Sequence, residues 1–310
     1  VLGEVTRAIS EARDALRSPW DADGVQRLAA VHMPDATGGA HGWLLRGDAK
    51  LLQIRWLVES IMNPDPGEDK NPANSMRLYK RAWMTLATLL PGLNDAERRR
   101  AALEMQEIAL WLWRAKSGAS RTLASRQDRY ALVVSYPSSK PHCWICGFRF
   151  EDRSVDAFLS GRAYASTAHP FVDFLYPRGR NAGDLSIAID HVFPVAAGGS
   201  GDLDNLRLSC SWCNRSKSSI LDLYASTTYR ADYKHPEFGW LSLPNYGWAS
   251  RVLALSGACS KCGLSQGEGE LVLAAPATAR RINPTCLLVY CRAHDPWHDN
   301  RMVPAGTVPR

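Results

Sequence analysis

No apolar run in these 310 residues approaches the roughly 20 needed to cross a bilayer, so a membrane-spanning protein is not expected. The N-terminal stretch carries no apolar core of a secretory signal, which argues against disulfides as the use of eight cysteines and makes a reducing cytoplasm the expected setting. No βαβ pattern surrounds Cys143-Trp-Ile-Cys146, which disfavours a thioredoxin-like redox pair. The His-x-Glu then Pro-Cys-x2-Cys order of zinc deaminases is missing. No helix with a groove-reading motif stands out, so sequence specificity towards a nucleic acid is not legible. Neither sign of charge dominates: a net charge of +6 suits an anionic partner but is shared by many metabolic enzymes.

What is present is a globular composition, 45% apolar and 22% charged, on a chain long enough for two or three domains. Its chemistry concentrates between Ile187 and Lys217, with a distant helper at Cys143 and Cys146. Cys143 and Cys146 form one Cys-x2-Cys knuckle and Cys210 and Cys213 the other, a spacing that suits one tetrahedral structural Zn2+. Zinc does not account for Asp190, His191, Asn205 and Asn214. A neutral imidazole at His191 can take a proton from an attacking water near pH 7. Asp190 and Asn214 offer hard oxygen ligands for a catalytic Mg2+ or Mn2+. Asn205 reads as a strut tying the Pro194–Gly201 loop to the base. On a helix from Ser211 to Tyr224, Lys217 would share a face with Asn214, and Lys217 and Arg215 are assigned to phosphate.

Asp190-His191, Asn205 and Asn214, set within Cys-x2-Cys…Cys-x2-Cys-Asn-x2-Lys, resemble the HNH family of nucleases in its McrA-like, zinc-stapled form. The resemblance spans roughly Pro141 to Tyr224. It implies a ββα-metal fold, His191 as general base, Asp190 and Asn214 as metal ligands, Asn205 orienting the base, and structural zinc on the four cysteines. It also implies DNA as substrate, and by analogy a bacterial anti-phage system with a separate sensor or ATPase subunit.

The expected fold class is α+β. Residues 1–117 form a helical bundle of four or five helices, 118–140 a linker with a short helix near 125–134, 141–225 the nuclease domain, and 226–310 a C-terminal zinc-binding region. The helical stripes are Leu2, Val5, Ile9, Ala12 and Leu16; Leu51, Ile54, Val58 and Ile61; Met76, Tyr79, Trp83, Leu86 and Leu90; and Ala101, Met105, Ile108 and Leu112. Asn94 and Glu97 suggest a capping box, and one of Trp111 and Trp113, on different faces of their helix, is expected to be exposed or at an interface. Arg149, Arg153, Arg162, Arg178 and Arg180 mark the insertion after Cys146 as either a DNA contact or a solvated loop. In the tail, Cys259, Cys262, Cys291 and His294 form a second candidate zinc set across a strand at 285–290, with Cys286 as a buried apolar thiol. A competing reading from another class is a zinc-stapled nucleic-acid- or protein-binding module without catalysis.

Overall fold

The computed structural model describes residues 2–16, 21–61, 72–117, 124–136, 140–164, 171–173, 182–224, 232–235, 239–242, 246–266, 268–276 and 283–304. Helices come first: α1 (Leu2–Ala15), α2 (Ala22–Ala30), α3 (Gly42–Ile61), α4 (Pro72–Leu89) and α5 (Asp95–Ser117). Sequence-local caps fix two of their starts. Asp21 accepts from the Gly24 N–H at 3.2 Å, and Asn94 and Glu97 close a reciprocal box, each accepting a backbone N–H at 3.0 Å.

The buried faces overlap the predicted stripes in part: Val58, Leu86 and Met105 are buried as expected. Leu78, Ala82 and Leu86 of α4 meet Ala102, Met105 and Ala109 of α5, while Met76 is 67% exposed and Ile9, Ile54, Leu90 and Ile108 also face outward. Alanines explain the choice. They let two helix axes approach closely, and the bulkier apolar residues on neighbouring faces are left outside the contact. The side chains of Trp111 and Trp113 lie outside the described residues, as do His169, Arg178 and Arg180.

Two further helices follow, α6 (Arg126–Val134), capped by a Ser125–Asp128 box, and α7 (Asp152–Leu159). The remaining elements are β1 (Phe171–Asp173), β2 (Ile187–His191), β3 (Leu206–Cys210), α8 (Ser211–Lys217), β4 (Asp232–His235), β5 (Gly239–Ser242), α9 (Tyr246–Ser256), β6 (Leu271–Ala274), β7 (Leu288–Cys291) and β8 (Met302–Pro304). The strands pair as two-stranded antiparallel sheets, β1 with β8, β2 with β3, β4 with β5 and β6 with β7. The fold is mixed helix and sheet.

One core runs through this second half, including Trp144, Phe150, Leu208, Leu253 and Leu273. The first half enters it through α3. Leu44 joins the core, and Asp48, 1% exposed, takes a two-pronged grip from Arg251 at 2.7 and 3.2 Å and the Leu223 N–H at 2.9 Å. The same contact explains why α8 is shorter than expected. The helix stops at Lys217, Ser218 turns into positive φ (47°), and the chain is drawn away to place Leu223 between Asp48 and the Trp248 indole.

Candidate active site

Four thiols converge first. Cys143, Cys146, Cys210 and Cys213 are each fully buried, and their Sγ atoms lie within 4.8 Å of one another. The knuckle forms because Gly147 adopts positive φ (65°), which turns the chain back so that the Cys143 N–H reaches the Phe148 carbonyl at 2.9 Å. The Trp144 N–H then bonds the Leu208 carbonyl on β3 at 2.9 Å, docking the knuckle beside the hairpin. Burial opposes a thiolate at Cys143, but hydrogen bonds from Cys146, Cys210 and Cys213 overcome it and hold that group well below the usual thiol range. Cys213 moves the other way, raised by burial and by its three thiol neighbours. Four buried thiols within reach of one point are the donor set of a divalent cation such as Zn2+, which stabilises thiolates.

Beside this group, β2 and β3 pair in regular register, with Asp190 opposite Arg207 and His191 opposite Leu206. His191 is the last residue of β2. Asn205 grips the loop that follows, accepting from the Phe193 N–H at 2.8 Å and donating to the carbonyls of Phe193 (3.0 Å) and Ser200 (2.8 Å). The loop closes so tightly that a side chain at Gly199 would collide with the Phe193 carbonyl. Asp190, His191 and Asn214 all line one cavity of about 1460 Å³, whose wall also includes Arg129 and Arg215.

Lys217 is not at that surface. It is 3% exposed, its ammonium sits 3.1 Å from Asp190 Oδ1 and 2.6 Å from the His191 carbonyl, and it is therefore a buried clamp on the two strand residues instead of a phosphate contact. The short helix is the reason, since Lys217 is its last residue and points inward across β2. Asp190 is held on its other oxygen by the Trp144 indole at 2.9 Å. Burial pushes the Asp190 carboxyl above the usual range, against the pull of Lys217 and the indole. Arg215, mostly exposed, pairs with Asp184 at the cavity rim.

In a comparison with known protein families, residues 179–219 match the family described as HNH endonuclease. The chain contains an HNH endonuclease domain. The matched segment holds β2, the Asn205 loop, β3 and α8, and hence every residue from Asp190 to Lys217 discussed above. No curated protein and no solved structure matches the chain.

Two residues that frame the HNH domain lie outside that segment and escaped the sequence reading. Trp144 holds Asp190, and only its place inside a knuckle hinted at this. Arg129, on α6, lines the cavity, and its Nε, buried away from solvent, has no hydrogen-bond partner among the described residues. The Ser- and Arg-rich composition of 118–140 was its one signal. The second cysteine set is also assembled: ligand atoms of Cys259, Cys262, Cys291 and His294 lie within 4.8 Å of one another. Cys286 lies outside it. That thiol is half-buried and closes a turn on Asn283, and the strand beside it starts at Leu288, because residues before it are spent on that turn.

Proposed function

We propose that this chain is a divalent-metal-dependent endonuclease that hydrolyses DNA phosphodiesters. The observation that carries the reading is one cavity walled by His191, Asp190 and Asn214 of the HNH domain and by two arginines. His191 would accept the proton of the attacking water. A carboxylate and a carboxamide oxygen at Asp190 and Asn214 are the donor chemistry of Mg2+ or Mn2+, which would offset the burial of Asp190 and supply positive charge to the leaving oxygen. Asn205 holds the backbone two residues beyond the base. With Lys217 withdrawn, Arg129 and Arg215 are the phosphate contacts, because they are the two arginines that line the cavity with His191. Zn2+ at each cysteine set would be structural.

The wider reading is an effector of a bacterial anti-phage system, gated by a sensor or ATPase subunit bound to the helical region 1–117. Its support is that α5 packs against the turn at Val195–Ala197, in the loop following His191. A protein docked on the helices would thereby bear on the catalytic loop.

One observation favours the rival, a zinc-stapled module without catalysis: both Asp190 oxygens already accept hydrogen bonds, as a purely structural brace would require. Plasmid incubated with Mg2+ or Mn2+, against EDTA, separates the two. Cutting should fall by about 10²–10⁴ in His191→Ala with an unchanged melting temperature. Arg129→Ala should raise KM more than it lowers kcat. Equal nicking by wild type and His191→Ala would assign the activity elsewhere.

A further inference from the structure

The segment 257–298 repeats, bond for bond, the finger that carries His191. In the first finger the Cys143 N–H donates to Phe148 (2.9 Å), Gly147 to Cys143 (2.8 Å), Phe150 to Pro141 (2.9 Å) and Trp144 to Leu208 on β3 (2.9 Å). In the second, Cys259 donates to Leu264 (2.9 Å), Gly263 to Cys259 (2.9 Å), Gln266 to Gly257 (3.2 Å) and Ser260 to Val289 on β7 (2.8 Å). Every donor and acceptor keeps its interval from the ligands. Gly147 and Gly263 share positive φ, 65° and 74°, and the flanking bridges His142–Arg149 and Ala258–Ser265 match as well. Each antiparallel hairpin ends in a ligand paired with the first residue of its opening strand, Cys210 with Ile187 and Cys291 with Leu271. Across the two fingers the facing sulfurs are 3.9 Å (Cys146 and Cys210) and 3.8 Å (Cys262 and Cys291) apart. A short helix then carries the fourth ligand, Cys213 or His294.

On this register Ala274 stands where Asp190 stands, and Ala275 where His191 does. Asp295 takes the place of Asn214, and its carboxylate is occupied by Arg301 at 2.6 and 2.9 Å. The second finger therefore keeps the metal staple and lacks the reactive pair. It is also bonded to the first. Glu270, 8% exposed, accepts from Arg149 on the first knuckle (3.1 Å) and from Arg292 on its own (3.4 Å), and Gln266 donates to the Trp144 carbonyl at 3.4 Å. Trp144 in turn holds Asp190.

We propose that residues 257–298 are a second, non-catalytic copy of the metal finger, which binds one zinc ion and acts as a buttress that positions the knuckle holding Asp190. Only the activity arm of its test rests on the endonuclease reading. The full chain should carry two zinc ions, and Cys259→Ser/Cys262→Ser one. In that variant amide hydrogen exchange across 143–148 should accelerate at least tenfold, with the α4 and α5 amides unchanged and plasmid nicking reduced. Glu270→Gln, which leaves both ligand sets intact, should keep two zinc ions and accelerate the same amides, and it decides the matter if the cysteine variant does not fold. One zinc ion in the wild type, or wild-type exchange across 143–148 in Glu270→Gln, would overturn the proposal. A wild type that never nicks DNA, with the zinc and exchange results as expected, would remove the endonuclease reading and leave the buttress standing.

Discussion

Before Ser117 the buried apolar side chains fall into small groups, Val58 with Leu78 and Ala109, and Ala82 with Leu86, Ala102 and Met105. From Pro141 onward a single group runs through both cysteine clusters and takes in Leu44 of α3. The helical region leaves Trp43, Ile54, Trp56 and Met84 about half exposed or more, whereas among the second half's described tryptophans Trp144 and Trp297 are enclosed. The difference lies in what each region uses to specify its interior. Helix packing selects among several apolar faces by a few small residues, and it does so weakly. Metal ligands select one point in space, and the surrounding side chains must close around it.

The strongest way to break this contrast is to remove a first-set ligand. Structural zinc contributes on the order of 10–16 kcal/mol, as much as or more than the roughly 5–15 kcal/mol of a whole domain. Cys213→Ser should therefore abolish the near-ultraviolet signal of the Trp144 core while α4 and α5 stay helical. A variant with wild-type near-ultraviolet dichroism would show that the cysteines do not organise the second half.

Next comes the clamp beneath the site. Lys217 and Asp190 side chains are each 4% exposed, so Lys217→Met strands a buried carboxylate and should cost about 3–5 kcal/mol. Adding Asp190→Asn should recover much of that, as read from urea midpoints. No recovery would mean that the loss comes from the His191 carbonyl contact instead. Asp48→Ala, which leaves the Arg251 guanidinium and Leu223 N–H without their acceptor, should cost roughly 2 kcal/mol and split unfolding into two steps. A single unchanged transition would show that the two regions are joined elsewhere.

The smallest effect is one of pH. His41 Nε2 lies 2.8 Å from the Leu287 carbonyl, and burial lowers its pKa despite that bond. A folded value depressed below the unfolded one, about 6.5, costs nothing above that pH. Stability then falls as pH drops from there through the folded value. Melting followed from pH 7.5 to 5 should decline more steeply in the wild type than in His41→Asn; parallel curves would exclude His41 as a sensor.

How much of this was legible followed the same division. The cysteine pairs, the order of Asp190, His191, Asn205 and Asn214, and the capping box at Asn94 are local patterns whose chemistry reads directly. The inward faces of α3 and α4 were legible only in part, through Val58 and Leu86, because apolar residues occur on more than one face and partners decide between them. The end of α8 depends on Asp48, distant in sequence. The repetition of the finger was hidden because it resides in backbone bonds, while the side chains at matching points, Asp190 and Ala274 or Cys213 and His294, differ in kind. The interval between knuckle and hairpin also differs, from Cys146 to Ile187 in one and from Cys262 to Leu271 in the other.

That long interval in the first finger holds β1, which pairs with β8 beyond the second. Between them Arg301 is shared by Asp173 of the insertion, Asp295 and the Leu273 carbonyl. The two fingers are thus threaded through each other's connections, and cutting the chain after Tyr224 would leave Asp173 facing no countercharge from Arg301. A piece ending at Tyr224 is therefore expected to lose both the β1–β8 pairing and this ion pair, and to be less stable than one that runs to Pro304.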